Sequence, residues 1–206
     1  MALDQDVSLK VLADAIVAIK RLNLPYWLTD GTLLGYHREY GFISHDSDID
    51  IGMPISAYTP DILVEMKREG FFFERQVGDV DRGLELTFSK SGINLDIFFF
   101  YQGEGEVYHS AWLRGVEIRY RYRIFGLKEV NFRGVCVSVP EDPEAYITQK
   151  YGAGWRVPDR TWHWAFSPKN VDYSGIGIWG FLTVVKYYLK HKKKIFVRLL
   201  KSKFSV

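Results

Sequence analysis

Three aspartates recur at alternate positions in His45-Asp-Ser-Asp-Ile-Asp-Ile-Gly52, namely Asp46, Asp48 and Asp50. Alternate side chains of a β-strand share one face. The spacing therefore predicts Asp48 and Asp50 on one side of a strand, with Ile49 and Ile51 on the other. Carboxylates this close repel one another unless a cation lies between them, and an all-oxygen donor set suits Mg2+, Mn2+ or Ca2+. An EF-hand is excluded, because a calcium loop starting at Asp46 needs Gly at 51 and Glu at 57, where the chain has Ile51 and Ala57. The plain alternative is a solvated polar strand face. A second acidic element is Asn94-Leu-Asp-Ile-Phe-Phe-Phe-Tyr101, with Asp96 alone in an apolar run. Burying a lone charge is costly. A metal shared with Asp48 and Asp50 accounts for it, as does a hydrogen-bonded aspartate at a strand start.

Upstream, Asp30-Gly31-Thr32 leads toward Arg38. A small-residue turn opening a helix lets backbone N–H groups approach a phosphate, and a guanidinium can fork onto phosphate oxygens. Gly31, Thr32 and Arg38 are thus candidates for binding an anionic substrate. For Arg38 the alternative is a surface ion pair with Glu39. His109, in Tyr108-His-Ser-Ala-Trp-Leu-Arg114, is a candidate substrate contact or a plain loop histidine. His163, between Trp162 and Trp164, suits sugar stacking and simple packing equally. Arg119, Arg121 and Arg123 alternate and would offer a basic strand face, and Cys136 between two valines reads as an inert core thiol.

The elements that must position these groups follow from periodicity. Leu9, Leu12, Ile16 and Ile19 predict a helix over 7–22, stopped by Asn23-Leu24-Pro25. Residues 26–29 read as a buried strand, with Asp30 or Thr32 capping a helix over 33–40. Strand 49–52 follows, then a helix over 60–70 with Pro at its start and Gly at its stop. A hairpin joins 84–89 to 93–101 around Lys90-Ser-Gly92, and strand pieces fill 117–139. A short helix spans 143–151. Residues 154–173 are Trp-rich and irregular, and the last 30 residues are helical. The class is α+β, with a mixed sheet flanked by helices and a basic C-terminal helix.

The net charge of +2 hides an asymmetry. Residues 173–206 carry eight Lys/Arg and no Asp/Glu, leaving 19 Lys/Arg against 25 Asp/Glu in the first 172 residues. Such a tail points to an anionic surface, membrane or nucleic acid. Its apolar stretch runs through Ile176, Ile178, Trp179, Phe181, Leu182, Val184 and Val185, with cations following. It is too charged to span a bilayer and suits an in-plane helix on an anionic leaflet. The alternative for the apolar half is a last core helix. One cysteine excludes an intrachain disulfide and a cysteine-rich zinc finger. The acidic start shows no signal-peptide pattern.

The run GTLLGYHREYGFISHDSDIDIG resembles the LicD/fukutin family, through Gly31–Gly35, Arg38, Gly41-Phe-Ile43 and Asp46–Gly52. Val137-Ser-Val-Pro140 and Tyr146 to Tyr151-Gly-Ala-Gly-Trp155 resemble a later family element. The resemblance covers roughly residues 10–160. It departs at Ser44-His45, where the family often has Pro-Trp, and it lacks the cysteine-based zinc element of fukutin-related proteins. It implies a nucleotidyltransferase-like fold with two metal-binding carboxylates on one strand and one on another. A LicD-like catalytic domain over 1–172 and a basic helical segment over 173–206 are expected, of compact bacterial stand-alone type. Asp48, Asp50 and Asp96 are expected to be catalytic and, with Asp46, to hold Mg2+ or Mn2+. Gly31, Thr32, Arg38 and His109 are expected to bind substrate. The implied reaction moves ribitol, glycerol or choline phosphate from a CDP-activated donor to a glycan, one carried on a lipid suiting the tail. The expected location is cytoplasmic, peripheral at the inner face of a bacterial membrane, with no nucleic-acid partner. Transfer of a nucleoside monophosphate is the alternative chemistry, and a membrane-surface binding module the non-enzymatic one.

Overall fold

The computed structural model describes residues 4–44 and 46–204, the last ten by backbone alone. His45, where the sequence departs from the family pattern, lies outside them.

Helix α1 (Gln5–Arg21) starts where the Asp4 carboxylate accepts the N–H groups of Asp6 and Val7 at 3.1 and 2.9 Å. Its apolar stripe, Val11, Leu12, Ala15, Ile16 and Ile19, is buried. Strand β1 (Trp27–Leu28) runs straight into α2 (Asp30–Glu39). The expected caps are corrected here. Thr29 holds the N-cap position and its side chain makes no cap bond; its hydroxyl pairs with Tyr146 Oη at 2.9 Å instead. Asp30 is the first helical residue, at φ +45°. Its carboxylate is recruited inward by an ion pair described below, so it does not serve the helix end.

Next come β2 (Asp48–Pro54), α3 (Asp61–Arg68), β3 (Phe72–Asp79), β4 (Arg82–Lys90), β5 (Ile93–Gln102), β6 (Glu106–Leu113), β7 (Val116–Arg123), β8 (Leu127–Phe132), β9 (Val135–Pro140), α4 (Pro143–Tyr151), β10 (Val171–Asp172) and α5 (Gly177–Phe204). Strands β2 and β5 pair in parallel, and the other sheet pairings are antiparallel. The main sheet is therefore mixed, in the order β1-β2-β5-β6-β7-β10, with β4 also on β5 and β3 on β4. Strands β8 and β9 form a separate hairpin. The mixed α+β class stands, and the β4–β5 hairpin turns where expected, with Lys90 opposite Ile93.

Three strands, β3, β6 and the two-residue β10 within the segment expected to be irregular, were not legible as such. β6 carries His109 and Ser110 buried on its two opposite faces, so polar residues disguise the strand. Cys136 is corrected as well. It lies on β9 but is exposed, on the face opposite the buried Val137 and Val139.

Candidate active site

The register brings the acidic elements together. In the parallel β2–β5 pair Asp50 lies opposite Asp96, and Asp48 opposite Asn94. Laterally paired residues share a face, so Asp48, Asp50 and Asp96 project from one side of the sheet. Each offers a carboxylate oxygen within 4.8 Å of the others, a group that could hold a metal ion. Ile49 and Ile51 are fully buried on the opposite side.

These carboxylates are packed against their own preference. Burial, then the charge of Asp48, pushes Asp50 well above the usual carboxylate range. Asp96 is raised to about 6, chiefly by burial, against the opposing hydrogen bond from Thr87. No Lys or Arg makes a salt bridge to any of the three among the described residues. A hard divalent cation would relieve both the repulsion and the desolvation. Asp46 is outside the trio but beside it. Burial and then Asp48 raise it to about 7, and its carboxylate lies over Gly31. A Cβ on Gly31 would press on Asp46 Oδ2 and stand 3.1 Å from Asp50 Oδ2, so a side chain there would have to push Asp46 aside.

Thr32 is committed to Asp50. Its backbone N–H donates to Asp50 Oδ2 at 3.2 Å, and its hydroxyl accepts the Asp50 N–H at 2.8 Å. The turn thus braces a carboxylate of the trio. Arg38 makes an ion pair with Glu39, but with a side chain only 11% exposed. Its Nε and Nη2 donate to Glu39 Oε1 at 3.1 and 2.7 Å, and Nη1 donates to the Trp155 carbonyl at 3.3 Å.

His109 is not on a loop. It is 1% exposed and enclosed by the rings of Phe98, Phe100, Tyr120 and Tyr122. Burial lowers its pKa to about 4, leaving it neutral near pH 7. Its Nε2 lies 3.7 Å from Asp30 Oδ2. On the other oxygen of Asp30 sits Lys150 Nζ, at 2.5 Å. Burial opposes ionisation of Asp30, but Lys150 and His109 outweigh it and hold the group below its ordinary value. A buried ion pair therefore stands at one end of the Asp30-Gly31-Thr32 turn, and the acidic trio at the other.

A family model described as LicD/FKTN/FKRP, nucleotidyltransferase domain, matches residues 23–142. The chain belongs to this family. Mouse ribitol-5-phosphate transferase FKTN is 35% identical over 170 residues, 81% of this chain and 37% of the mouse protein. The human FKTN is 33% identical over the same shares. Human ribitol 5-phosphate transferase FKRP is 26% identical over 151 residues, 66% of this chain and 29% of that protein. The chain thus spans little more than a third of the FKTN relatives' length. Among solved structures, ANT(2")-Ia in complex with adenylyl-2"-tobramycin aligns over 97% of the chain at 14% identity and a TM-score of 0.48.

The trio, its Thr32 brace and Asp30 lie inside the LicD segment, whereas Lys150 lies beyond it. Sequence reasoning missed Lys150, Arg75, Glu85 and Thr87. The Thr87 hydroxyl donates to Asp96 Oδ1. Glu85 is 6% exposed and is raised to about 7, first by burial and then by Asp96. The signal for the two β4 residues was present. Leu84-Glu-Leu-Thr-Phe88 alternates strictly, which aligns Glu85 and Thr87 on one face.

Proposed function

We propose that this LicD-family chain transfers an alcohol phosphate, of the ribitol, glycerol or choline class, from a CDP-activated donor to a sugar hydroxyl of a cell-surface glycan. The observation that carries this reading is the Asp48–Asp50–Asp96 trio, with Asp50 and Asp96 buried and no counter-cation among the described residues, in a chain a third identical to ribitol-5-phosphate transferases. Asp48, Asp50 and Asp96 would hold Mg2+ or Mn2+, with Asp46 as a further oxygen donor beside them. The cation, when bound, would neutralise and orient a diphosphate. In the reaction the acceptor oxygen forms a bond to the phosphorus bearing the alcohol. The bridging P–O bond breaks and CMP departs with its electron pair. The acceptor proton needs a base within reach, and Asp96 would either share the cation or take that proton.

The test is release of CMP from CDP-ribitol, CDP-glycerol and CDP-choline, with and without EDTA. Metal-dependent CMP release from one of them is expected. Activity fully retained in EDTA would overturn the metal reading. Release of pyrophosphate from CTP or ATP instead would assign the chain to nucleoside monophosphate transfer.

The second part of the reading concerns α5. Its inner side packs on the body, with Val184 buried and Gly180 against Val116. Ile178, Trp179, Phe181, Leu182 and Leu189 point outward, 49–80% exposed. No helix among the described residues is long and apolar enough to cross a membrane. We read α5 as lying in the plane of an anionic membrane. Its outward apolar side chains would insert, and its lysines would meet headgroups at ~1 kcal/mol each. A lipid-carried acceptor would then be within reach. Cosedimentation with anionic rather than neutral liposomes is expected, and loss of it in the Ile178→Ser/Leu182→Ser/Leu189→Ser variant. Equal binding by both proteins, or no binding at low salt, would refute the membrane reading.

A further inference from the structure

The trio belongs to a longer row. Pairing register places Arg75 on β3 opposite Thr87 on β4, Thr87 opposite Asp96 on β5, and Asp96 opposite Asp50 on β2. Four strands therefore set a guanidinium, a hydroxyl and two carboxylates side by side on one face, at the ~4.8 Å spacing of neighbouring strands. Side-chain bonds follow the row. Arg75 Nε donates to Thr87 Oγ1 at 3.1 Å, and that hydroxyl in turn donates to Asp96 Oδ1. The guanidinium is thus one hydroxyl away from the trio. Its Nη2 donates to Glu85 Oε1 at 3.0 Å, which fixes the plane of the group.

Arg75 also remains available. Its side chain is 59% exposed, while its partner Glu85 is 8% exposed. Nη1 makes no hydrogen bond within the described residues, in contrast to Arg38, where Nε, Nη1 and Nη2 are all engaged. A surface arginine on an edge strand would ordinarily extend into solvent and lose little by doing so. This one is held back across β4 by two side chains, with Nη1 left without a partner among the described residues and Thr87 linking the group to Asp96.

We infer that Arg75 is the cation that grips the phosphates of a nucleoside diphosphate donor at this site, with Glu85 and Thr87 as the positioning residues that aim it. This rests on the donor reading proposed above. A cation on the trio and the guanidinium of Arg75 would flank the same diphosphate, one charge on each side. Arginine suits the place because it binds phosphate oxygens through a planar fork that lysine lacks.

The test is equilibrium binding of CDP and of CMP in the presence of Mn2+, with Mn2+ binding measured separately without nucleotide. Arg75→Met should weaken CDP roughly 10- to 100-fold, the scale of a charge-assisted hydrogen bond. Arg75→Lys should recover part of the loss, and CMP, with one phosphate fewer, should lose less than CDP. Mn2+ alone should bind as tightly as before or tighter, since a neighbouring positive charge has gone. Removing Arg75 leaves Glu85 buried without its partner. The Arg75→Met/Glu85→Gln double variant removes both charges and should show the same CDP loss in a protein that folds. CDP binding equal to wild type in either variant would overturn the inference and leave the donor reading intact. A wild-type protein that binds Mn2+ but not CDP would overturn the donor reading and this inference with it.

Discussion

Two buried acidic centres flank the Asp30-Gly31-Thr32 turn, and they differ in how their charge is settled. At one, Asp30 has Lys150 Nζ at 2.5 Å, with a neutral histidine on the other oxygen and Tyr122 Oη donating at 3.4 Å. Its pKa stays below the ordinary value. At the other, three carboxylates crowd within 4.8 Å and those of Asp50 and Asp96 are pushed upward. The first centre carries its counter-cation within the chain, so it is electrostatically complete on folding. The second has no Lys or Arg salt bridge among the described residues and could hold a metal ion. Burial alone therefore does not distinguish the two centres; the presence of an internal partner does.

The sharpest way to break this comparison is to remove a charge from each centre. Lys150→Met leaves Asp30 buried and unpaired, and should cost about 3–5 kcal/mol in urea unfolding. Asp50→Asn instead relieves repulsion, and in EDTA it should leave stability unchanged or raised. CMP release from the active CDP-alcohol should nevertheless fall at least ~100-fold, comparable with losing a major electrostatic contact in the transition state. An Asp50→Asn protein that unfolds more readily than Lys150→Met would show that the two centres have been assigned the wrong way round.

The pH dependence should separate the two sides of the turn by sign. His109 is a base whose folded pKa falls from 6.5 to about 4. The unfolded chain binds its proton first, so the stability it contributes is present above 6.5 and is lost as pH falls through about 4. Glu85, beside Asp96, has a folded pKa raised from 4.5 to about 7. Its contribution is fully present below 4.5 and is lost as pH rises through about 7. Each contribution is on the order of 2–3 kcal/mol for groups this buried. Unfolding measured in EDTA from about pH 4 to 8 should lose part of its acid-side slope in His109→Phe, the remainder coming from His163, which burial also lowers to about 4, and part of its alkaline-side slope in Glu85→Gln. A His109→Phe protein with the wild-type acid slope would place the acid sensitivity elsewhere.

Much of the acidic centre was legible because strand periodicity and register both act locally. Alternation set Asp48 and Asp50 on one face, and an isolated Asp96 in an apolar run marked its partner strand. The Asp30–Lys150 pair was not legible. It joins residues 120 positions apart in the chain, and α4 reaches Asp30 only after the sheet and the β8–β9 hairpin are in place. His109 was misread for a related reason. A buried histidine and a buried serine at consecutive positions, and so on opposite faces of β6, break the apolar alternation that marks a strand; the rings of Phe98, Phe100, Tyr120 and Tyr122 enclose His109, and Glu117 pairs with Ser110. Arg38 had the right chemistry for a phosphate, but Glu39 and the Trp155 carbonyl occupy its donors.

The smallest expected effect tests the hinge between the two centres. Thr32 was expected from sequence to touch substrate, yet its hydroxyl accepts the Asp50 N–H at 2.8 Å and its own N–H holds Asp50 Oδ2 at 3.2 Å. Thr32→Val keeps the shape and the backbone bond and deletes only the hydroxyl. It leaves a buried N–H unpaired, which costs about 1–2 kcal/mol, and it loosens the strand position that carries Asp50. Thr32→Ser keeps the oxygen and should behave nearly as wild type. The two roles differ in what moves. If Thr32 braces Asp50, Thr32→Val should weaken Mn2+ binding several-fold even without nucleotide, with CDP binding following the metal. If the hydroxyl instead contacts the donor, Mn2+ affinity should stay constant while CDP affinity falls alone. Because the hydroxyl is already an acceptor for Asp50 and the residue is 2% exposed, the first outcome is expected.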